Sequence, residues 1–73
     1  MGHSMSTLKM DANKLRELRL QAGLSQEALA KQAHMSYRTI FRLESGETKT
    51  VRELTLISLA NTLGVERHAL LED

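Results

Sequence analysis

Apolar residues recur at helical spacing through most of the chain, and five segments carry the pattern. The first is "DANKLRELRLQAG", residues 11 to 23. It sets Leu15, Leu18, Arg19 and Ala22 on one face, with Asp11 placed to cap the start and Gly23 to stop the end. One member of that inward stripe is a charge, Arg19. The second segment, "LSQEALAKQAH", has Ser25 as N-cap, Glu27 in the first turn, and Leu29, Ala30 and Ala33 facing inward. The third, "MSYRTIFRLESG", is capped by Ser36, turns Ile40 and Leu43 to the core and ends at Gly46. Only "AHM" separates the second helix from the third, so the two cross sharply rather than form an antiparallel hairpin.

The fourth helix lies within "ETKTVRELTLISLANTLG", where the spacing of Thr50 and Glu53 predicts a capping box. Leu56, Leu59, Ala60 and Leu63 form its buried stripe, and Gly64 stops it. "VERHALLED" predicts a short fifth helix with Val65 and Leu70 or Leu71 pointing in. The expected fold is all-α, a compact five-helix bundle. Composition agrees: the chain has no Pro, four Gly and abundant Leu, which leaves little to punctuate strands. The opening "MGHSMSTLKM" has no periodicity, Met1, Met5 and Met10 are each candidate starts, and "GHS" looks like a cloning remnant. Residues 1 to 8 are expected to be a disordered tail, and residues 9 to 73 one domain.

With 73 residues, the domain stands near the lower size limit for a core without staples. There is no Cys, hence no disulfide and no thiolate metal site. No apolar run approaches the ~18 residues of a membrane span, and no signal pattern opens the chain, so a soluble cytoplasmic protein is expected. The formal net charge is only +1, but it is uneven. Residues 1 to 46 carry seven Lys/Arg against four Asp/Glu, and residues 47 to 73 carry three against five. The basic half contains the third helix, a modest hint of a polyanion-facing side.

That helix also holds the one Tyr and the one Phe of the chain. With Ile40 and Leu43 toward the core and about 100° per residue, Arg38, Arg42 and Ser45 point away and Phe41 lies on one flank. Tyr37 sits in the first turn, where free N–H groups favour an anion. Arginine matches guanine O6 and N7 in the major groove, and it also matches phosphate. Tyrosine can stack, touch a thymine methyl or donate to phosphate. Ser25 and Gln26 open the second helix on the same side, where an N-terminus grips phosphate and Gln reads an adenine edge.

Residues 15 to 71 resemble the phage-repressor/Cro-type (XRE-like) helix-turn-helix family. The resemblance rests on "LSQEALA", then "S…TI..LE.G", then "LA..LGV", in order and at sensible spacing. It implies a lambda-repressor-like bundle with the motif at about residues 25 to 45 and the third helix as recognition helix. It also implies base contacts from Gln26, Tyr37, Arg38 and Arg42, and phosphate contacts from Ser25, Ser36, Ser45 and Lys49. Arg19 and Glu44 match positions of an inward ion pair that ties the first helix to the end of the third. Three departures stand out. His34 occupies a turn position where the family often has Gly, and a left-handed backbone there costs His more. The loop after Gly46 lacks the usual Pro and is about one residue long. Phe41 replaces a smaller or polar residue, which suits packing or an interface more than base reading.

Other chemistry finds no support. His3, His34 and His68 are scattered without ligand spacing, so no metal site is expected. Asp11, Glu17 and Glu27 read as caps and surface charge rather than as catalytic carboxylates, and no phosphate loop or nucleophile elbow is present. The chain is not expected to be an enzyme or to hold a cofactor. The expected function is sequence-specific double-stranded DNA binding by a transcriptional regulator, a repressor, on a roughly palindromic operator. The alternative is an antitoxin or other protein-interaction module on the same fold. One recognition helix reads few base pairs, so a homodimer is expected at least on DNA, with Val65, Ala69, Leu70 and Leu71 as its interface. The chain can also be the DNA-binding part of a longer regulator with a sensor domain.

Overall fold

The computed structural model describes residues 7 to 73. Four α-helices follow one another: α1 (Ala12–Gln21), α2 (Gln26–Gln32), α3 (Tyr37–Ser45) and α4 (Glu53–Leu63). Each of the first three starts where a short polar side chain accepts a hydrogen bond from an otherwise orphaned backbone N–H. Asp11 accepts from Lys14, Ser25 from Ala28 and Ser36 from Thr39. Their inward faces meet in one core built on Leu15, Leu29, Ile40, Leu56, Leu59 and Leu70, all fully buried. The small Ala30 and Ala33 let α2 lie close to its neighbours, and Ser58 of α4 donates to the carbonyl of Ala33 at 2.7 Å.

Two findings depart from an all-helical bundle. Strand β1 (Thr7–Lys9) pairs antiparallel with β2 (Thr50–Arg52), with Leu8 opposite Val51. Thr7 and Leu8 are therefore structured rather than part of a tail, and residues 1 to 6 of that expected tail lie outside the described residues. Met10 continues inward from β1 and is buried, its N–H donating to the carbonyl of Lys49 at 3.0 Å. Second, the expected fifth helix is a single 3-10 turn, Arg67–Leu70. Gly64 ends α4 in a left-handed turn, Glu66 is extended, and Leu71 is extended again to bridge Met10. Too few residues remain between these points for an α-helix.

The Thr50–Glu53 capping box does not form. Thr50 lies in β2 opposite Lys9, α4 begins at Glu53, and Arg52 precedes it without a side-chain cap. Ala22, expected inward, is exposed at the end of α1. Leu70, expected at a dimer surface, is buried in the protomer's own core.

The turn between α2 and α3 needs a left-handed residue. His34 N–H donates to Lys31 O at 3.2 Å and Met35 N–H to Ala30 O at 2.9 Å, which closes the helix end by the paired bonds of a Schellman turn. The same pair of bonds ends α1 around Gly23, so His34 holds a backbone slot that Gly fills elsewhere in the chain. Its φ is +59°, strained for a residue with a Cβ.

Candidate nucleic-acid interface

Helix α3 buries Ile40 and Leu43 and leaves Tyr37, Arg38, Phe41, Arg42 and Ser45 exposed along its outer side. The sequence-predicted ridge therefore exists as one surface. Arg38 projects without an ion-pair partner among the described residues. Arg42 lies 3.5 Å, Nε to carboxylate oxygen, from Glu47 in the loop that follows. Both partners of that pair are largely exposed, so the contact leaves Arg42 free to exchange onto another acceptor.

Gln26, at the start of α2, is half-buried beside this ridge, and its amide Nε2 donates to Glu44 Oε1 at 3.0 Å. Glu44 is the hub of a buried network. Arg19 donates through Nε to one carboxylate oxygen and through Nη2 to the other at 3.0 Å, and its Nη1 donates to the carbonyl of Leu24 at 2.7 Å. The side chains of Arg19 and Glu44 are 9% and 4% exposed, so the ion pair that the resemblance implied is present and desolvated. The hydrogen bonds to Glu44 raise the Arg19 pKa above its ordinary value, against the opposing effect of burial. The network joins α1, the α1–α2 turn, α2 and α3, and so fixes Gln26 relative to the arginines. An amide whose nitrogen faces a carboxylate turns its carbonyl oxygen away, which suits an acceptor role toward an exocyclic amino group.

The serines differ in what they can still offer. Ser25 accepts from Ala28 N–H at 3.0 Å and keeps its own proton for a phosphate oxygen. Ser36 accepts from Thr39 N–H at 3.2 Å, with its Oγ 3.0 Å from the Thr39 hydroxyl. Ser45 donates to Arg42 O at 3.2 Å and accepts from Glu47 N–H at 3.3 Å, so its proton is spent on the last turn of α3. Lys49 is exposed in the loop that precedes β2, which is tied down by the Met10–Lys49 hydrogen bond.

Two cations that border the same surface were not singled out by sequence. Arg16 lines a shallow hollow with Gln26, Phe41 and Ser45 on one side of α3. Arg52 lines another with Arg42 and Thr48 on the other side. The spacing of Arg16 three residues before Arg19 was a usable signal for the first. The second depends on the β1–β2 pairing, which presents Thr50 and Arg52 outward while Val51 is buried. Among the described residues, no group of His, Asp and Glu is arranged to hold a metal ion, and no helix is long and apolar enough to cross a membrane. His3 lies outside the described residues.

The helix-turn-helix family model HTH_3 matches residues 15–70. The restriction-modification controller protein C.AhdI from Aeromonas hydrophila superposes with a TM-score of 0.76 at 33% identity, over 82% of this chain and 89% of that one. An HTH_3 family transcriptional regulator from Vibrio cholerae does so with 0.72 at 33% identity, over 80% of this chain and 32% of that one. The master regulator for biofilm formation SinR, in complex with DNA, gives 0.81 at 21% identity over 84% and 100%, a likeness of fold. No curated protein sequence matches the chain. The chain belongs to the Cro/C1-type helix-turn-helix family of DNA-binding transcription regulators.

Proposed function

We propose that the protein is a sequence-specific transcriptional repressor of the cytoplasm that reads the major groove of double-stranded DNA with α3. The observation that carries this reading is the exposed ridge of Arg38 and Arg42 beside a Gln26 locked in place by a buried ion pair. Rigid placement of a few donors and acceptors is what base discrimination requires, whereas a merely basic face would bind any sequence. Tyr37, Arg38, Arg42 and the Gln26 carbonyl face base edges. Ser25, Ser36 and Lys49 grip phosphate, joined by Arg16 and Arg52, and Ser45 does so after releasing its bond to Arg42. Regulation by relatives of this sequence, among them a controller of restriction-modification, supports a regulatory rather than a catalytic role.

A single α3 contacts too few base pairs to be selective in a genome, so the protein acts as a homodimer on a roughly palindromic operator. With Leu70 buried, the pairing surface is Val65, Ala69 and Leu71, all partly exposed, of which Val65 and Leu71 line an open groove of about 640 Å³ together with Leu8 and Leu56. Selection of bound duplexes from a random pool tests the function. Recovery of a common inverted repeat supports it. Recovery of no preferred sequence would refute it and favour the protein-interaction alternative.

A further inference from the structure

The chain has two aromatic side chains, and neither is in the core. Tyr37 and Phe41 stand one turn apart on α3, 48% and 47% exposed, with ring centroids 6.2 Å apart and planes 30° from parallel. A 73-residue domain short of core volume would gain by burying such rings, yet both lie against each other at the surface. Their setting narrows what they meet. Phe41 borders the hollow with Arg16 and Gln26, while Arg38 and Arg42 are its neighbours along the ridge. An apolar strip framed by cations suits an apolar group embedded in a polyanion. The major-groove edge of a base pair offers one such group, the 5-methyl of a pyrimidine.

We propose that Tyr37 and Phe41 form a wedge that packs on a pyrimidine 5-methyl group next to the base pair read by Arg38, which makes Phe41 a specificity-determining residue. Thymine and 5-methylcytosine display the same methyl, so both are readable by this wedge. The inference rests on the DNA-reading role of α3 proposed above. It adds that the site contains a methyl-bearing pyrimidine at a fixed place in each half. Withdrawing one buried methyl-sized group corresponds to a roughly fourfold loss of affinity.

The test uses the full chain and a duplex selected for binding. Each thymine is replaced singly by deoxyuridine, and at any sensitive position dC and 5-methyl-dC are compared in the same pairing. Uridine is expected to weaken binding roughly fourfold at one or two positions per half-site, and the cytosine methyl to restore a factor of similar size. Phe41→Ala is expected to bind the thymine and uridine duplexes alike, while Phe41→Leu keeps part of the discrimination. An unchanged unfolding midpoint for Phe41→Ala certifies the fold. Parental binding with no uridine-sensitive position overturns the wedge while leaving DNA reading intact. So does a Phe41→Ala variant that discriminates like the parent, which would leave the rings as a protein-docking patch. Failure to select any duplex refutes the DNA reading itself.

Discussion

Replacing Arg19 by Met strands a carboxylate. In the native protein Glu44 receives two hydrogen bonds from Arg19 and one from Gln26, with its side chain only 4% exposed. After the substitution the Gln26 amide is its one remaining donor among these, and the Leu24 carbonyl loses the Arg19 bond. Breaking one side of a buried ion pair costs about 3–5 kcal/mol. Total stability for 73 residues is about 4–11 kcal/mol, so Arg19→Met removes a large fraction of it. Glu44→Met, which leaves the guanidinium unpaired, falls in the same range. The double variant Arg19→Met/Glu44→Met is different, because no charge remains buried. Its main residual cost is the Leu24 carbonyl, about 1–3 kcal/mol, since the Gln26 amide, which also loses its acceptor, is only half-buried and can turn to water. The two single changes therefore sum to roughly 6–10 kcal/mol, and the cycle should show a coupling of at least about 3 kcal/mol. The assay is urea unfolding followed by helical circular dichroism, on the four proteins in one buffer. Additive single and double changes would mean that the two side chains are solvated independently and that no buried ion pair joins α1 to α3.

Other outcomes follow from single residues. His34→Gly relieves a left-handed strain that outweighs the extra chain entropy of Gly, and should stabilise by about 0.5–1 kcal/mol, read as a higher urea midpoint. A lower midpoint would show that His34 makes a compensating contact. Thr50→Ala should change stability by less than about 0.5 kcal/mol, because Thr50 is an exposed strand residue and not a helix cap whose loss would cost ~1 kcal/mol. Lys49→Ala should weaken binding to all duplexes alike and reduce the slope of log affinity against log salt by about one unit. A sequence-dependent effect would place Lys49 at a base edge.

The helices were legible because their signals are local. Ser25 and Ser36 bond to an N–H three residues ahead, Gly46 and Gly64 end helices with positive φ, and the stripes of Leu15, Leu29, Ile40 and Leu59 point where the period places them. What was missed depends on partners far along the chain. Thr7–Lys9 is too short for alternation to register, and its mate lies beyond α3. That pairing makes Thr50 extended, which removes the capping box its spacing suggested. The pull of Met10 on Leu71 likewise shortens the fifth helix to one turn and leaves Leu70 inside. At the site, the ridge of Arg38 and Arg42 followed from angular position alone. The tether from Gln26 to Glu44 did not, because it crosses between two helices and shows no periodic trace.

Reading of DNA by α3 is tested by competitive selection from a random duplex pool with the parent and with Arg38→Ala and Arg42→Ala, followed by titration of the winning site. The parent should enrich one inverted repeat whose half-sites lie about one DNA turn, ~34 Å, apart. Each arginine variant should lose ~1–3 kcal/mol on that site and relax its preference at particular base pairs, with binding to unrelated duplexes reduced far less. Variants that recover the parental sequence at parental affinity would contradict the assignment of α3 as the reading helix.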